Sequence, residues 1–172
     1  MKAIVYGAGS IGRGFIGQIF GESGYEVVFV DIDNTLIDRI NSARQYPIRF
    51  VSEKHVKEIV VKNVRGISAN DTKAIAQEIA TCDIMATAVG KRQLEKITAN
   101  IANGLRKRWN SGNKAYLNII VCENMIHANR YFRSLLEKEL NEDELKIFNA
   151  LVGTVETCVG RNVPVMNEEL MD

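Results

Sequence analysis

The stretch GAGSIGRGFIG, residues 7–17, decides how this chain folds. Five glycines in eleven residues would suit a linker, but a linker would carry more serine, and here Ile11, Phe15 and Ile16 stand among them. Gly7, Gly9 and Gly12 form G-x-G-x-x-G. Ahead of them KAIVY, Lys2 to Tyr6, is a short apolar run closed by a glycine, the pattern of a strand buried on both faces. Behind them the spacing predicts a helix from Ile11, with Ile11, Phe15, Ile19 and Ser23 on one stripe and Gly24 as its stop. Between a strand and a helix each glycine has a task. Gly7 permits the tight turn, Gly9 lets the backbone approach a pyrophosphate, and Gly12 lets the helix pack against the strand. The free N–H groups at the helix start, with the helix dipole behind them, favour anionic phosphates.

Working outward, EVVFVD is the next strand and ends at Asp31, 19 residues beyond Gly12 (31 − 12). A carboxylate at that distance accepts hydrogen bonds from the adenosine ribose and repels a 2′-phosphate. No arginine follows directly, the next residues being Ile32, Asp33 and Asn34, so the pair of signals indicates NAD(H) over NADP(H). A helix cap or a solvated strand end is the competing reading of Asp31.

The rest of the chain keeps a strand–helix rhythm with one interruption. Asp33 or Asn34 caps a helix whose apolar face holds Leu36, Ile37 and Ile40, and Pro47 closes that unit. IRFVS and VKEIVVKNV, separated by EKH, are β-branched and predict an inserted strand pair. A helix over 71–80, a strand in DIMATAVG and a helix over 92–107 follow, the last with Leu94, Ile97, Ile101 and Leu105 at helical spacing. YLNIIVCEN predicts a further strand, then helices over 125–140 and 142–151, and a last strand over 152–159. This alternation implies an α/β fold of the Rossmann type, doubly wound around a mainly parallel sheet with helices on both faces, in one domain spanning 1–172. Ligands of such sheets bind outside the carboxyl ends of the strands, here residues 7–12, Asp31, 88–90 and 122–124.

Composition narrows the function further. A hydrophobic share of 46% and a charged share of 25% are ordinary for a globular protein. The net charge of +1 argues for neither nucleic acid nor an acidic membrane as partner. Apolar runs such as NIIVC fall far short of the ~20 residues that cross a bilayer, and Met1-Lys2 does not open a signal peptide, so a cytoplasmic protein is expected. Cys82, Cys122 and Cys158 form no CxxC, and His55 and His127 lie far apart, so buried free thiols are expected and no metal site.

Gly14 and Gly17 exceed what a dinucleotide fingerprint needs. With them, GAGSIGRGFIG closely resembles the opening of the polyol-specific long-chain dehydrogenase/reductase family. The likeness continues in TAVG (Thr87 to Gly90), in LNIIVCENM (Leu117 to Met125) and more faintly in VETCVGRNVP (Val155 to Pro164). The resemblance implies reversible hydride transfer between NAD and a polyol phosphate, D-mannitol 1-phosphate with D-fructose 6-phosphate. It implies that Gly7, Gly9, Ser10, Ile11 and Gly12 line the pyrophosphate and that Asp31 holds the ribose. It further places Ala88, Val89 and Gly90 over the cofactor, and Glu123 with Asn124 near the nicotinamide ribose. Asn124 is equally readable as an N-cap for a helix at Met125, and Arg13 as either a phosphate partner or a solvated first-turn residue.

The family uses no catalytic metal; its general base is a lysine in a second, mostly helical domain. No lysine here sits in the matching motif, so no catalytic residue is assigned, and the chain is expected to bind NAD without turnover. The tail VPVMNEELMD reads as a chain cut in mid-sequence. One departure concerns the substrate: the family's VDRI is VGRN here, with Gly160 where an Asp is expected. Three alternatives follow: a related hexuronate reductase, a stand-alone module that senses NADH, or a ketopantoate reductase, against which RGFIG and CEN argue.

Overall fold

The computed structural model describes residues 1–51 and 55–163. Ser52 of the predicted strand IRFVS, Glu53 and Lys54 of the connection EKH, Pro164 of the last motif and the tail 165–172 lie outside the described residues. The chain runs β1 (Lys2–Tyr6), a π-helical segment (Gly12–Gly17), α1 (Gln18–Glu22), β2 (Glu26–Asp31), α2 (Asn34–Ala43), β3 (Gln45–Val51) and β4 (Val56–Lys62). It continues through β5 (Val64–Ser68), α3 (Thr72–Thr81), β6 (Ile84–Thr87), a 3₁₀ turn (Lys91–Gln93), α4 (Leu94–Asn110), β7 (Leu117–Val121), α5 (Ala128–Lys138), α6 (Glu142–Leu151) and β8 (Val152–Glu156).

Six strands form one parallel sheet in the order β5-β2-β1-β6-β7-β8, and β3 pairs with β4 in a separate antiparallel ribbon. Without the ribbon this is the order 3-2-1-4-5-6, in which the winding reverses between β1 and β6. Alternation along each strand sends side chains to two cores. Ala3, Val5, Val27 and Phe29 join Ile16, Phe20, Ile37 and Ile40 on one face. Ile4, Tyr6, Val28 and Met85 join Ile75, Ile79, Leu94, Ile101, Phe132 and Phe148 on the other. Helices therefore cover both faces, as the sequence implied. Each fully buried Val, Ile or Phe contributes about 1.5–3 kcal/mol.

Helix starts follow their caps. Asp33 accepts the Leu36 N–H, Asp71 accepts the Ala74 N–H, and Asn141 with Glu144 forms a capping box on α6.

Several expectations are corrected. The third strand of the sheet, β5, was not anticipated, because VRGIS carries Arg65, Gly66 and Ser68 and only Val64 is fully buried. Pro47 does not close the α2 unit; it lies inside β3 opposite Val60, in a two-stranded ribbon where a missing N–H donor is tolerated. The helix after the glycines buries Gly12, Ile16, Gly17 and Phe20, while Ile19 of the predicted stripe is 41% exposed. The π-helical turns widen the spacing and turn the glycine side toward the sheet. α5 begins at Ala128 and not at Met125, and β8 ends at Glu156, short of Val159.

Candidate functional site: the crevice between β1 and β6

The carboxyl ends of β1 and β6 flank the reversal of strand order, and the predicted residues gather there. Backbone hydrogen bonds extend the sheet one residue past each strand: the Gly7 N–H donates to Val30 O (2.8 Å) and the Ala88 N–H to Tyr6 O (2.7 Å). Gly7 has φ +95°, and a Cβ there would collide with the Ala88 carbonyl, so the two turns are in direct contact. A Cβ on Gly12 would collide with the Gly7 carbonyl, whereas nothing lies within 4 Å of one on Gly9. Gly12 thus closes helix on strand, and Gly9 faces open space.

Gly14 and Gly17 are explained by packing. A Cβ on Gly14 would stand 2.7 Å from Val163 Cγ1, and one on Gly17 would stand 2.6 Å from Phe29 Cζ and against the Tyr46 hydroxyl.

Asp31 joins the crevice through its side chain. Oδ2 accepts the Ala8 N–H at 2.6 Å and Oδ1 accepts the Asp33 N–H at 3.0 Å. A carboxylate offers about four lone-pair sites, so acceptor capacity remains for hydroxyl groups of a ligand. The cap of α2 is Asp33, so the helix-cap reading of Asp31 fails.

On the other flank, Glu123 is 7% exposed and both its oxygens are engaged: Oε1 accepts the Val89 N–H (3.0 Å) and Oε2 the Gly90 N–H (2.8 Å). This clamp fixes the turn after β6, where Gly90 has φ +87°, to the end of β7. The family resemblance implies a place near a ribose for Glu123 and says nothing of this clamp; nothing in ENM announces a carboxylate turned toward a neighbouring loop. Asn124 is exposed and caps no helix, since the residue before α5 is His127 in the left-handed region (φ 55°). Ser10 and Ile11 stand at the helix start, where the first N–H groups have no carbonyl behind them. Arg13 turns back, its Nε donating to Ala8 O at 2.6 Å.

Beside the crevice, burial and the neighbouring Glu123 charge push the Cys122 thiol up to about 12, so it stays protonated. Among the described residues no group of three or more His, Cys, Asp or Glu could hold a metal ion, and no helix is long and apolar enough to cross a membrane. A concavity between α1 and β4, lined by Gly21, Tyr25, Val61 and Lys62, lies at the amino end of β2 and holds none of the predicted residues.

Comparison with known proteins agrees with this geometry. The chain matches the mannitol dehydrogenase Rossmann domain over residues 1–172. It is 38% identical to mannitol-1-phosphate 5-dehydrogenase of Lactiplantibacillus plantarum over 170 residues, covering 98% of this chain and 44% of that enzyme. The chain thus spans less than half the length of this relative. Among solved structures, the mannitol 2-dehydrogenase of Pseudomonas fluorescens, in ternary complex with NAD and D-mannitol, superposes with a TM-score of 0.76 at 14% identity, over 89% of this chain and 40% of that one. A UDP-glucose dehydrogenase from Pyrobaculum islandicum reaches a TM-score of 0.51 at 12% identity, over 90% of this chain and 45% of that one. At such identities these two establish the fold alone. The match over the full length, on a sheet wound in this order around this glycine turn, places the chain in the mannitol dehydrogenase family as its Rossmann domain.

Proposed function

We propose that this chain is one domain, residues 1–172, that binds NAD(H) across the β1–β6 crevice. It serves there as the cofactor half of a cytoplasmic oxidoreductase acting on a polyol phosphate, mannitol 1-phosphate with fructose 6-phosphate. The observation that carries the reading is the locked pair of Asp31 and Ala8 beside an open Gly9. It combines a preset hydroxyl acceptor with bare backbone at the start of a helix, which suits an adenosine ribose followed by a pyrophosphate.

NAD, when bound, supplies the hydride chemistry. The chain's own residues bind and orient. Gly7, Gly9, Ser10, Ile11 and Gly12 present backbone to the pyrophosphate, and Asp31 accepts from the adenosine ribose. Ala88, with Val89 and Gly90 held by Glu123, forms the wall over the cofactor, and Asn124 stands at the nicotinamide ribose. The substrate class comes from the relative's name together with the opening motif, and the general base belongs to a part of the enzyme outside these residues.

Titration of NADH fluorescence tests the reading. Saturable binding is expected, with NADPH much weaker and no oxidation of mannitol 1-phosphate by this chain alone. NADPH bound as tightly as NADH, or turnover by the isolated chain, would overturn the corresponding part.

A further inference from the structure

Two carbonyls of the π-helical segment Gly12–Gly17 take donors from outside the helix. The Tyr46 hydroxyl, from β3, donates to Arg13 O at 2.9 Å. Burial pushes this hydroxyl well above its ordinary range despite the nearby Arg13 charge, so it remains a donor. Arg161, from the segment after β8, donates through Nη1 to Gly14 O at 3.1 Å and to Gln18 Oε1 at 2.5 Å. Gln18 is 7% exposed, and its amide donates onward to Glu22 at 2.9 Å. The Arg161 guanidinium also lies 4.8 Å from the Phe15 ring centroid and 5.1 Å from that of Phe50, on β3. Val163 completes the contact by resting on Gly14, where a side chain would displace it.

One arginine therefore joins the glycine helix, the ribbon and the segment leaving β8. Charge-assisted hydrogen bonds are stronger than neutral ones, and cation–π contacts gain when desolvated. π-Helical turns are rare and occur frequently at functional sites, and here two of the carbonyls are held by donors from other segments. The turn so held runs directly on from Ser10 and Ile11, whose N–H groups face the crevice end of the helix.

We propose that Arg161 is a positioning residue for the dinucleotide. It fixes the π-helical register of residues 12–17, sets the direction of the N–H groups at Ser10 and Ile11, and so ties NAD(H) affinity to the seating of residues 161–163 on the helix. The inference rests on the NAD-binding reading above.

The test titrates NADH into the wild-type chain and into Arg161→Ala, Arg161→Lys and Phe50→Leu, well below each melting temperature, with amide hydrogen exchange read across residues 12–19. Arg161→Ala is expected to raise the NADH Kd about tenfold, the weight of one charged hydrogen bond. Exchange should speed up within residues 12–19 and stay unchanged in β1 and β6. Arg161→Lys keeps the charge and recovers part of the affinity, while Phe50→Leu, remote from the crevice, weakens binding to a smaller extent. If Arg161→Ala does not fold, the other two variants carry the same comparison. A variant with a lower melting temperature but unchanged Kd would make Arg161 merely structural and overturn the proposal. A wild-type chain that binds no NADH would remove the NAD reading itself, a result distinct from equal binding by wild type and variants.

Discussion

Asp31 Oδ2 accepts the N–H of Ala8 across 2.6 Å, so the acidic end of β2 and the glycine turn after β1 form one unit. Position along the chain separates these residues by 23, yet a single short hydrogen bond makes them a preformed acceptor beside a bare backbone. On the proposed reading, the same carboxylate would disfavour a phosphorylated ribose.

Asp31→Ser should therefore do two things at once. NADH binding weakens about tenfold through loss of a charged acceptor, and the gap between NADH and NADPH narrows because the repulsive charge is gone. Paired fluorescence titrations read both; an unchanged NADH/NADPH ratio would remove Asp31 as the discriminating group.

Gly9 and Gly12 separate binding from folding. Gly12→Ala drives a methyl group into the Gly7 carbonyl and should cost about 1–3 kcal/mol of stability, as overpacked sites do. Gly9→Ala meets nothing within 4 Å, so stability should stay within about 0.5 kcal/mol while NADH affinity falls. Urea unfolding and NADH titration of the two variants should show this opposite pattern; equal destabilisation would contradict it.

Glu123→Gln replaces one carboxylate oxygen by an N–H₂ group facing a backbone N–H in a buried site. Leaving one donor unpaired costs about 1–3 kcal/mol. Urea unfolding should register that loss, and exchange at the Val89 and Gly90 amides should accelerate ahead of the rest of the sheet. Protection unchanged at both amides would show that the clamp is dispensable.

Acid stability should depend on Glu78. Burial alone would raise its pKa, but hydrogen bonds from Arg65 (2.7 Å) and Lys2 (2.6 Å), with their charges, hold it below the ordinary 4.5. A carboxylate depressed in the folded state stabilises at every pH above the unfolded value and loses that contribution as pH falls through the folded one. Wild type should thus lose urea resistance on acidification below about 4.5, while Glu78→Gln, weaker at neutral pH, shows a shallower decline and approaches wild type in acid. Parallel curves for the two proteins would exclude the network linking β1, β2, β5 and α3 as the source.

Much of the sheet was legible because apolar runs of four to six residues punctuated by glycine carry their own signal. β1, β2, β6 and β7 all lie within runs read from composition and periodicity, and α6 matches its predicted bounds of 142–151. β5 escaped because Arg65, Gly66 and Ser68 interrupt Val64 and Ile67, so the short run that pairs with β2 carries no clear apolar periodicity. The site divides along the same line. Glycines and Asp31 are visible through spacing, since turn geometry and strand length fix their offsets. The engagement of Glu123 with the turn after β6, and of Arg161 with Gly14, 147 residues away, is not.

The sequence by itself determined the alternation of strands and helices, the fingerprint turn and the acid at the end of β2. These rest on local preferences: backbone freedom at Gly7, apolar periodicity, and caps at Asp33, Asp71 and Asn141. Only the tertiary structure decided the strand order that brings β1 beside β6, the π-helical register that rotates the buried face onto Ile16 and Phe20, and the partners of Glu123 and Arg161. Those depend on which surfaces meet once the sheet has twisted and closed, and a contact spanning 33 residues, as from Glu123 to Gly90, or 147, as from Arg161 to Gly14, has no local signature to read.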